Sequence, residues 1–157
     1  MSLTPSDVEG FAETKRYLGA KDYAKALPLL QKAAEAGNAE AMNVLGELYS
    51  FGRGVTQDTT EARRWYQKAA EAGSAPAMSN LGGLYQNGFG VARDYAQARR
   101  WFQKAAQAGN MEGMTNLGRL YRDGLGLPGN YSKARQWFQK AAEAGDAEAK
   151  EALSQLQ

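Results

Sequence analysis

The sequence contains no cysteine and no histidine, no isoleucine and only four valines among 157 residues. Without Cys there can be no disulfide, no thiolate nucleophile and no Cys-based zinc or iron–sulfur site. Without His the commonest metal ligand and the commonest general base are missing, so no Ser-His-Asp triad can form. None of Ser2, Ser6, Ser50, Ser74, Ser79, Ser132 and Ser154 has a Lys three residues on, which removes the S-x-x-K arrangement. No apolar run approaches the roughly 20 residues of a membrane-spanning helix, and the start MSLTPSDVEG lacks the apolar segment of a signal peptide. A secreted chain with its signal removed reads the same way, so cytoplasmic and periplasmic or secreted locations both stay open.

What the sequence has instead is alanine and leucine, 28 and 15 residues respectively. Both are strong helix formers, whereas a sheet would draw on the β-branched residues that are scarce here. The expectation is an all-α protein.

The helices repeat. WYQKAAEAG, WFQKAAQAG and WFQKAAEAG begin at Trp65, Trp101 and Trp137, each 36 residues after the last. LGELY, LGGLY and LGRLY at Leu45, Leu81 and Leu117 keep the same period, as do the loops GRGV, GFGV and GLGL at Gly52, Gly88 and Gly124. Three units follow, 38–73, 74–109 and 110–145, each read as helix A, glycine loop, helix B and tight turn. Asn38, Ser74, Asn110 and Asp146 are placed to cap the A helices; Asp58, Asp94 and Asn130 are placed to cap the B helices. Asp58 with Glu61 forms a capping-box pattern. Asn130-Tyr131-Ser132 also matches a glycosylation sequon, but the cap is the better reading of Asn130. Met42, Leu45, Leu48 and Tyr49 make one apolar stripe of helix A; Ala62, Trp65/Tyr66 and Ala69/Ala70 make that of helix B. Gly37, Gly73, Gly109 and Gly145 suit a left-handed residue ending each B helix.

The flanks depart from the period. Thr4-Pro5-Ser6-Asp7 predicts a cap and helix start running to about Leu18, followed by a helix from about Asp22 to Ala36. Pro28 inside that second helix costs about 3 kcal/mol or forces a kink. Residues 1–37 therefore form a degenerate first pair with a shorter loop. Residues 146–157 align with helix A but carry Lys150, Ser154 and Gln157 in place of its Met, Gly and Tyr, which predicts a C-terminal capping helix.

The motif A-x-x-x-L-G-x-x-Y-x-x-G-x-G-V followed by D-x-x-x-A-x-x-W-[YF]-x-K-A-A-x-x-G resembles the Sel-one-like repeat, a relative of the tetratricopeptide repeat. Residues 38–145 follow it closely, departing at Gly113, Leu127 and Asn130; residues 1–37 look more like a tetratricopeptide unit. The resemblance implies a right-handed α-solenoid of antiparallel helix pairs, and a non-catalytic adaptor, often bacterial, that binds a partner protein or peptide. Some relatives carry a disulfide in every repeat; this chain does not belong to that branch. A peptidoglycan-related activity proposed for other relatives finds no nucleophile motif here.

Positions identical in all three units serve the stack; positions that vary are free to serve a ligand. The recurring tryptophans are thus expected in the core, and the Gly-x-Gly loops are expected to shape a turn rather than cradle phosphate, since neither the preceding strand nor the full phosphate-loop spacing is present. Helix A holds the variation. Positions 40, 43, 47, 50 and 51 are expected on one solvent-facing side: Glu40, Asn43, Glu47, Ser50 and Phe51, then Pro76, Ser79, Gly83, Gln86 and Asn87, then Glu112, Thr115, Arg119, Arg122 and Asp123. In tetratricopeptide proteins this side lines a concave groove. Asn80 and Asn116 occupy a place where some relatives bond a ligand backbone. The candidate partner-binding set is Asn43, Glu47, Ser50, Ser79, Asn80, Gln86, Thr115, Asn116, Arg119 and Arg122.

Charge is uneven, with nine cations against four carboxylates over 74–145 and near balance before it. This suggests a partner lying with its acidic end at Arg119 and Arg122. Arg64, Lys68, Arg100, Lys104 and Lys140 form an outward stripe on the B helices. With a formal net charge of only +2 and the nearby aromatics assigned to the core, nucleic acid is not an expected partner. No cofactor, no metal and no catalytic residue are expected, and a monomer is favoured. The alternative is a structural or accessory domain of a larger assembly or envelope enzyme, docking by its convex face or an end. An enzyme would need carboxylates such as Glu47 gathered in a pocket.

Overall fold

The computed structural model describes residues 5–156, with side chains from 11 to 156. The expected Thr4 cap and the Gln157 substitution lie outside the described residues. Those described form nine helices and no strand: α1 Pro5–Gly19, α2 Tyr23–Glu35, α3 Ala39–Phe51, α4 Thr59–Glu71, α5 Ala75–Asn87, α6 Tyr95–Gln107, α7 Met111–Asp123, α8 Tyr131–Glu143 and α9 Ala147–Gln155. The fold class is all-α, with antiparallel helix pairs of the solenoid type. The chain divides into two compact units, residues 1–74 and 75–157.

In the first unit α1 packs on α2, α2 on α3 and α3 on α4. Its core is Ala26, Leu30, Ala34, Ala41, Leu45 and Leu48, with Tyr23, Val55 and Trp65 packed against it. α2 runs through Pro28 without interruption. In the second unit α5 packs on α6, α6 on α7, α7 on α8 and α8 on α9. Ala98, Phe102, Ala106, Leu117 and Leu120 form one core cluster; Ala134, Phe138, Ala141, Ala149 and Ala152 form the next.

Most of the caps expected from the sequence are made. Asn38 Oδ1 accepts from Ala41 N at 2.9 Å, Asn110 Oδ1 from Gly113 N at 2.8 Å, Asp94 Oδ1 from Gln97 N at 3.0 Å and Asn130 Oδ1 from Lys133 N at 3.0 Å. Asp58 accepts from both Thr60 N and Glu61 N at 3.1 Å. Each satisfies a donor that the first helical turn leaves without a backbone partner.

The tryptophans are half-buried rather than sealed. The aromatic that each unit buries is the next residue: Tyr66 is 3% exposed, and Phe102 and Phe138 are 0% exposed. These rings press on the A helix of their own pair at the glycine of its L-G motif. A Cβ on Gly46, Gly82 or Gly118 would stand 2.5–2.6 Å from the ring of Tyr66, Phe102 or Phe138. The indoles take a second role. Trp65 and Trp137 pack against the cluster that precedes them. Each of the three carries a Lys ammonium over its ring: Lys68 at 4.9 Å, Lys104 at 4.5 Å and Lys140 at 4.7 Å from the centroid. The lysine stem covers apolar surface that the stack leaves open.

Gly113, where the repeat pattern has Ala, lies at a close approach of α7 to α6. A Cβ there would meet Ala105 Cβ at 2.8 Å and the Phe102 carbonyl at 3.0 Å.

Candidate partner-binding surface

The A helices α3, α5 and α7 each run for 13 residues and hold their varied positions on one side. That side is not uniformly open. Glu40, Phe51, Pro76, Asn87, Glu112 and Asp123 are exposed, and Glu47, Ser50, Gly83, Gln86, Arg119 and Arg122 are half-buried. Asn43, Ser79 and Thr115, expected in solvent, are 7%, 1% and 2% exposed.

For Ser79 and Thr115 the reason is a polar link within the second unit. Ser79 Oγ donates to Asn110 Oδ1 at 2.6 Å, and Asn110 is the cap of the following A helix. Thr115 Oγ1 donates in the same way to Asp146 Oδ2, the cap of α9. Each link spans 31 residues, and in each the cap also accepts a backbone N–H from its own helix: Gly113 N on Asn110 Oδ1 at 2.8 Å, and Glu148 N on Asp146 Oδ1 at 2.9 Å. A buried hydroxyl would be costly unless bonded; here it ties one A helix to the start of the next. Ser79 and Thr115 therefore act in the stack, and Asn43 shares their position. The sequence carried the signal, since a short hydrogen-bonding side chain (Asn43, Ser79, Thr115) recurs 31 residues before a cap (Ser74, Asn110, Asp146).

Asn116 is also buried, at 9% exposure, and its Oδ1 accepts from Arg119 Nη1 at 2.8 Å. Asn80 remains half-buried. In the first unit, Asn43 Nδ2 donates to Glu47 Oε1 at 3.2 Å, which fixes the Glu47 carboxylate against its own helix.

The two arginines expected to meet an acidic partner are already paired. Arg119 bridges to Glu148 of α9. Arg122 forms a fork with Asp123, Nε to Oδ1 at 2.8 Å and Nη2 to Oδ2 at 3.1 Å, and stands 5.9 Å from the Phe138 centroid. The hydrogen bonds to Asp123 hold the Arg122 guanidinium above its ordinary pKa, with partial burial opposing. A partner carboxylate would have to displace an internal one, so the expected charge gradient is largely compensated at this end. Beside Arg122 lie two open cavities, about 440 Å³ and about 540 Å³, which share Arg122 and Tyr131 in their walls.

Among the described residues, no group of three or more Asp or Glu is placed to hold a metal ion, and no helix is long and apolar enough to cross a membrane. The side chains that vary on α5 and α7 offer amides, carboxylates and guanidiniums beside an open backbone at Gly83, where an added Cβ would meet nothing within 4 Å.

Comparison with known proteins agrees with this architecture. The Sel1 repeat family model matches residues 17–38, 39–74, 75–110 and 112–146. The Sel1 repeat protein from Oxalobacter formigenes is 37% identical, with a TM-score of 0.85 over 90% of this chain and 58% of that one. The protective antigen c5321 of uropathogenic Escherichia coli, which has an SLR fold, is also 37% identical, with a TM-score of 0.85 over 91% of this chain and 32% of that one. Helicobacter pylori cysteine rich protein B is 26% identical, with a TM-score of 0.66 over 84% of this chain and 95% of that one. The chain thus spans little more than half the length of the first of these proteins and about a third of the second. No curated protein sequence matches it.

Proposed function

The chain belongs to the Sel1 repeat family, and from that premise we propose that it is a non-catalytic module that binds a partner protein or peptide through the varied side of its A helices. Proteins of this family are generally protein-interaction scaffolds. In the second unit the contacting set is Gln86, Gly83 and Asn87 of α5 with Glu112, Arg119 and Arg122 of α7; in the first unit it is Glu40, Glu47 and Ser50 of α3. Ser79, Thr115 and Asn116 support that surface from beneath.

One observation carries the reading. On the A helices the leucines repeated in every unit seal the stack, with Leu45, Leu81 and Leu117 at 0–1% exposure, whereas the outward positions differ from unit to unit. A pre-organised helical surface of this kind lets the partner bear most of the ordering entropy. The Arg119–Glu148 and Arg122–Asp123 pairs hold two donors in fixed directions without leaving unpaired charge.

Affinity capture from the source cell tests the proposal. Gly83→Glu with Glu112→Lys on the A helices should abolish recovery of the partner. Arg100→Glu with Lys140→Glu on the B helices should leave recovery unchanged. The opposite pattern would transfer recognition to the B helices.

A further inference from the structure

Asn87 and Asp123 close α5 and α7 at the same place in the repeat, and the glycine after each is left-handed, with φ of 69° and 65°. Beyond Gly88, Phe89 N bonds Leu84 O at 3.0 Å and Asp94 N bonds Tyr85 O at 2.9 Å. Beyond Gly124, Leu125 N bonds Leu120 O at 3.1 Å and Asn130 N bonds Tyr121 O at 2.8 Å. The two turns are thus alike in backbone and differ in the side chain before the glycine. Asn87-Gly88 and Asp123-Gly124 are the one Asn-Gly and the one Asp-Gly of the sequence. In both, the glycine nitrogen can close a cyclic imide on the preceding Cγ, and glycine has no β-carbon to obstruct the closure.

Asp123 is restrained. Its two oxygens accept the fork from Arg122 at 2.8 Å and 3.1 Å, which fixes Cγ and engages both oxygens. Asn87 is exposed, and Gln86 stands before it where the third repeat has Arg122. Its side chain makes no hydrogen bond or ion pair among the described residues. Other asparagines are engaged: Asn38, Asn110 and Asn130 cap helices, and Asn43 and Asn116 bond within theirs.

We propose that Asn87 is a site of spontaneous deamidation, converted in the folded chain to aspartate and isoaspartate. The Gly88 nitrogen gives up its proton to water and attacks Asn87 Cγ. The Cγ–Nδ2 bond breaks, Nδ2 takes up a proton and leaves as ammonia, and a cyclic imide remains. Water then opens the imide. Cleavage of the Cγ–N bond gives aspartate; cleavage of the bond from N to the main-chain carbonyl carbon gives isoaspartate, whose backbone runs through Cβ and Cγ. Nothing is oxidised or reduced, and water is the only co-reactant. At the matching place Gly124 N–H donates to Leu120 O, so attack at this register follows opening of the last helical turn, the kind of opening that costs least in a fold. The product puts a carboxylate at the negative end of the α5 dipole, with no arginine before it. Isoaspartate also lengthens the chain where the Phe89 and Asp94 bonds are made. The end of α5 therefore carries a charge that accumulates with the age of the molecule. Asn87 belongs to the A-helix set proposed above, but the reaction needs no partner and is read on the isolated chain, so the two proposals fail separately.

The full chain is aged in warm, mildly alkaline buffer, folded and, in parallel, unfolded in guanidinium chloride. Peptide mass spectrometry follows the replacement of NH2 by OH, and enzymatic methyl-labelling follows isoaspartate. Asn87 should convert in the folded chain at a rate within about tenfold of the unfolded one, the allowance for a fraying terminal turn. Folding should slow isoaspartate formation at Asp123 about tenfold more than at Asn87, the rate equivalent of one charge-assisted hydrogen bond. Arg122→Ala should remove that difference. Asn87→Gln should leave helicity unchanged by circular dichroism and abolish the modification, because its longer side chain closes a larger, less favourable ring. In the aged wild type, amide exchange at Phe89 and Asp94 should quicken. An Asn87 that stays intact in the folded chain while the unfolded chain converts would overturn the proposal. Equal protection of Asn87 and Asp123 by folding would overturn the role given to the Arg122 fork.

Discussion

The Phe138 ring lies against the backbone of Gly118, so close that a Cβ on Gly118 would stand 2.6 Å from it. The same contact joins Gly82 to Phe102 and Gly46 to Tyr66. It explains why the L-G motif and the aromatic 20 residues later recur together: removing the Cβ lets an A helix settle on the ring of its own B helix. Gly118→Ala should therefore destabilise the fold by about 1–3 kcal/mol through overpacking, despite the better helix propensity of Ala. Gly83→Ala, one residue after Gly82 but facing open space, should stabilise by up to about 1 kcal/mol. Urea denaturation distinguishes the two signs.

Gly113→Ala restores the residue usual at that place in the repeat, and propensity alone predicts a gain. The 2.8 Å approach to Ala105 Cβ and the 3.0 Å approach to the Phe102 carbonyl predict a loss of about 1–3 kcal/mol instead. A fall in the urea midpoint checks this; a rise would mean that α6 and α7 separate readily.

Ser79→Ala removes the donor to the Asn110 cap and should cost about 1 kcal/mol, the ordinary net contribution of such a bond. Amide exchange in the first turn of α7 should quicken, with Gly113 N the most affected. Asn110→Ala removes the same bond from the other side, so the two substitutions together should cost less than the sum of their separate effects.

Lys104→Ala uncovers the Trp101 ring, over which the ammonium sits at 4.5 Å. The expected cost is about 0.5–1 kcal/mol. The indole emission should shift to longer wavelength; the shift is read in a Trp65→Phe, Trp137→Phe background.

Much of the fold was legible in the sequence, because period, caps and loop glycines each follow from local chemistry. Asn38, Asp58, Asp94, Asn110 and Asn130 cap where their positions predicted. The candidate surface was less legible. Helical spacing puts 43, 79 and 115 on the same side as 47, 83 and 119, but it carries no knowledge of the next helix, whose cap reaches over Ser79 and Thr115. For the same reason Arg119 and Arg122 read as free cations, although Glu148 and Asp123 pair with them. Repetition alone places the tryptophans in the core; the structure gives the sealed place to the neighbouring Tyr66, Phe102 and Phe138 and leaves the indoles at the margin under lysine.

The proposed use of the A helices is tested most directly by an amide-exchange footprint of this chain with and without its captured partner. Protection concentrated on α5 and α7, and lost with Gly83→Glu, is the predicted result. Protection confined to α6 and α8 that Gly83→Glu leaves intact would contradict it.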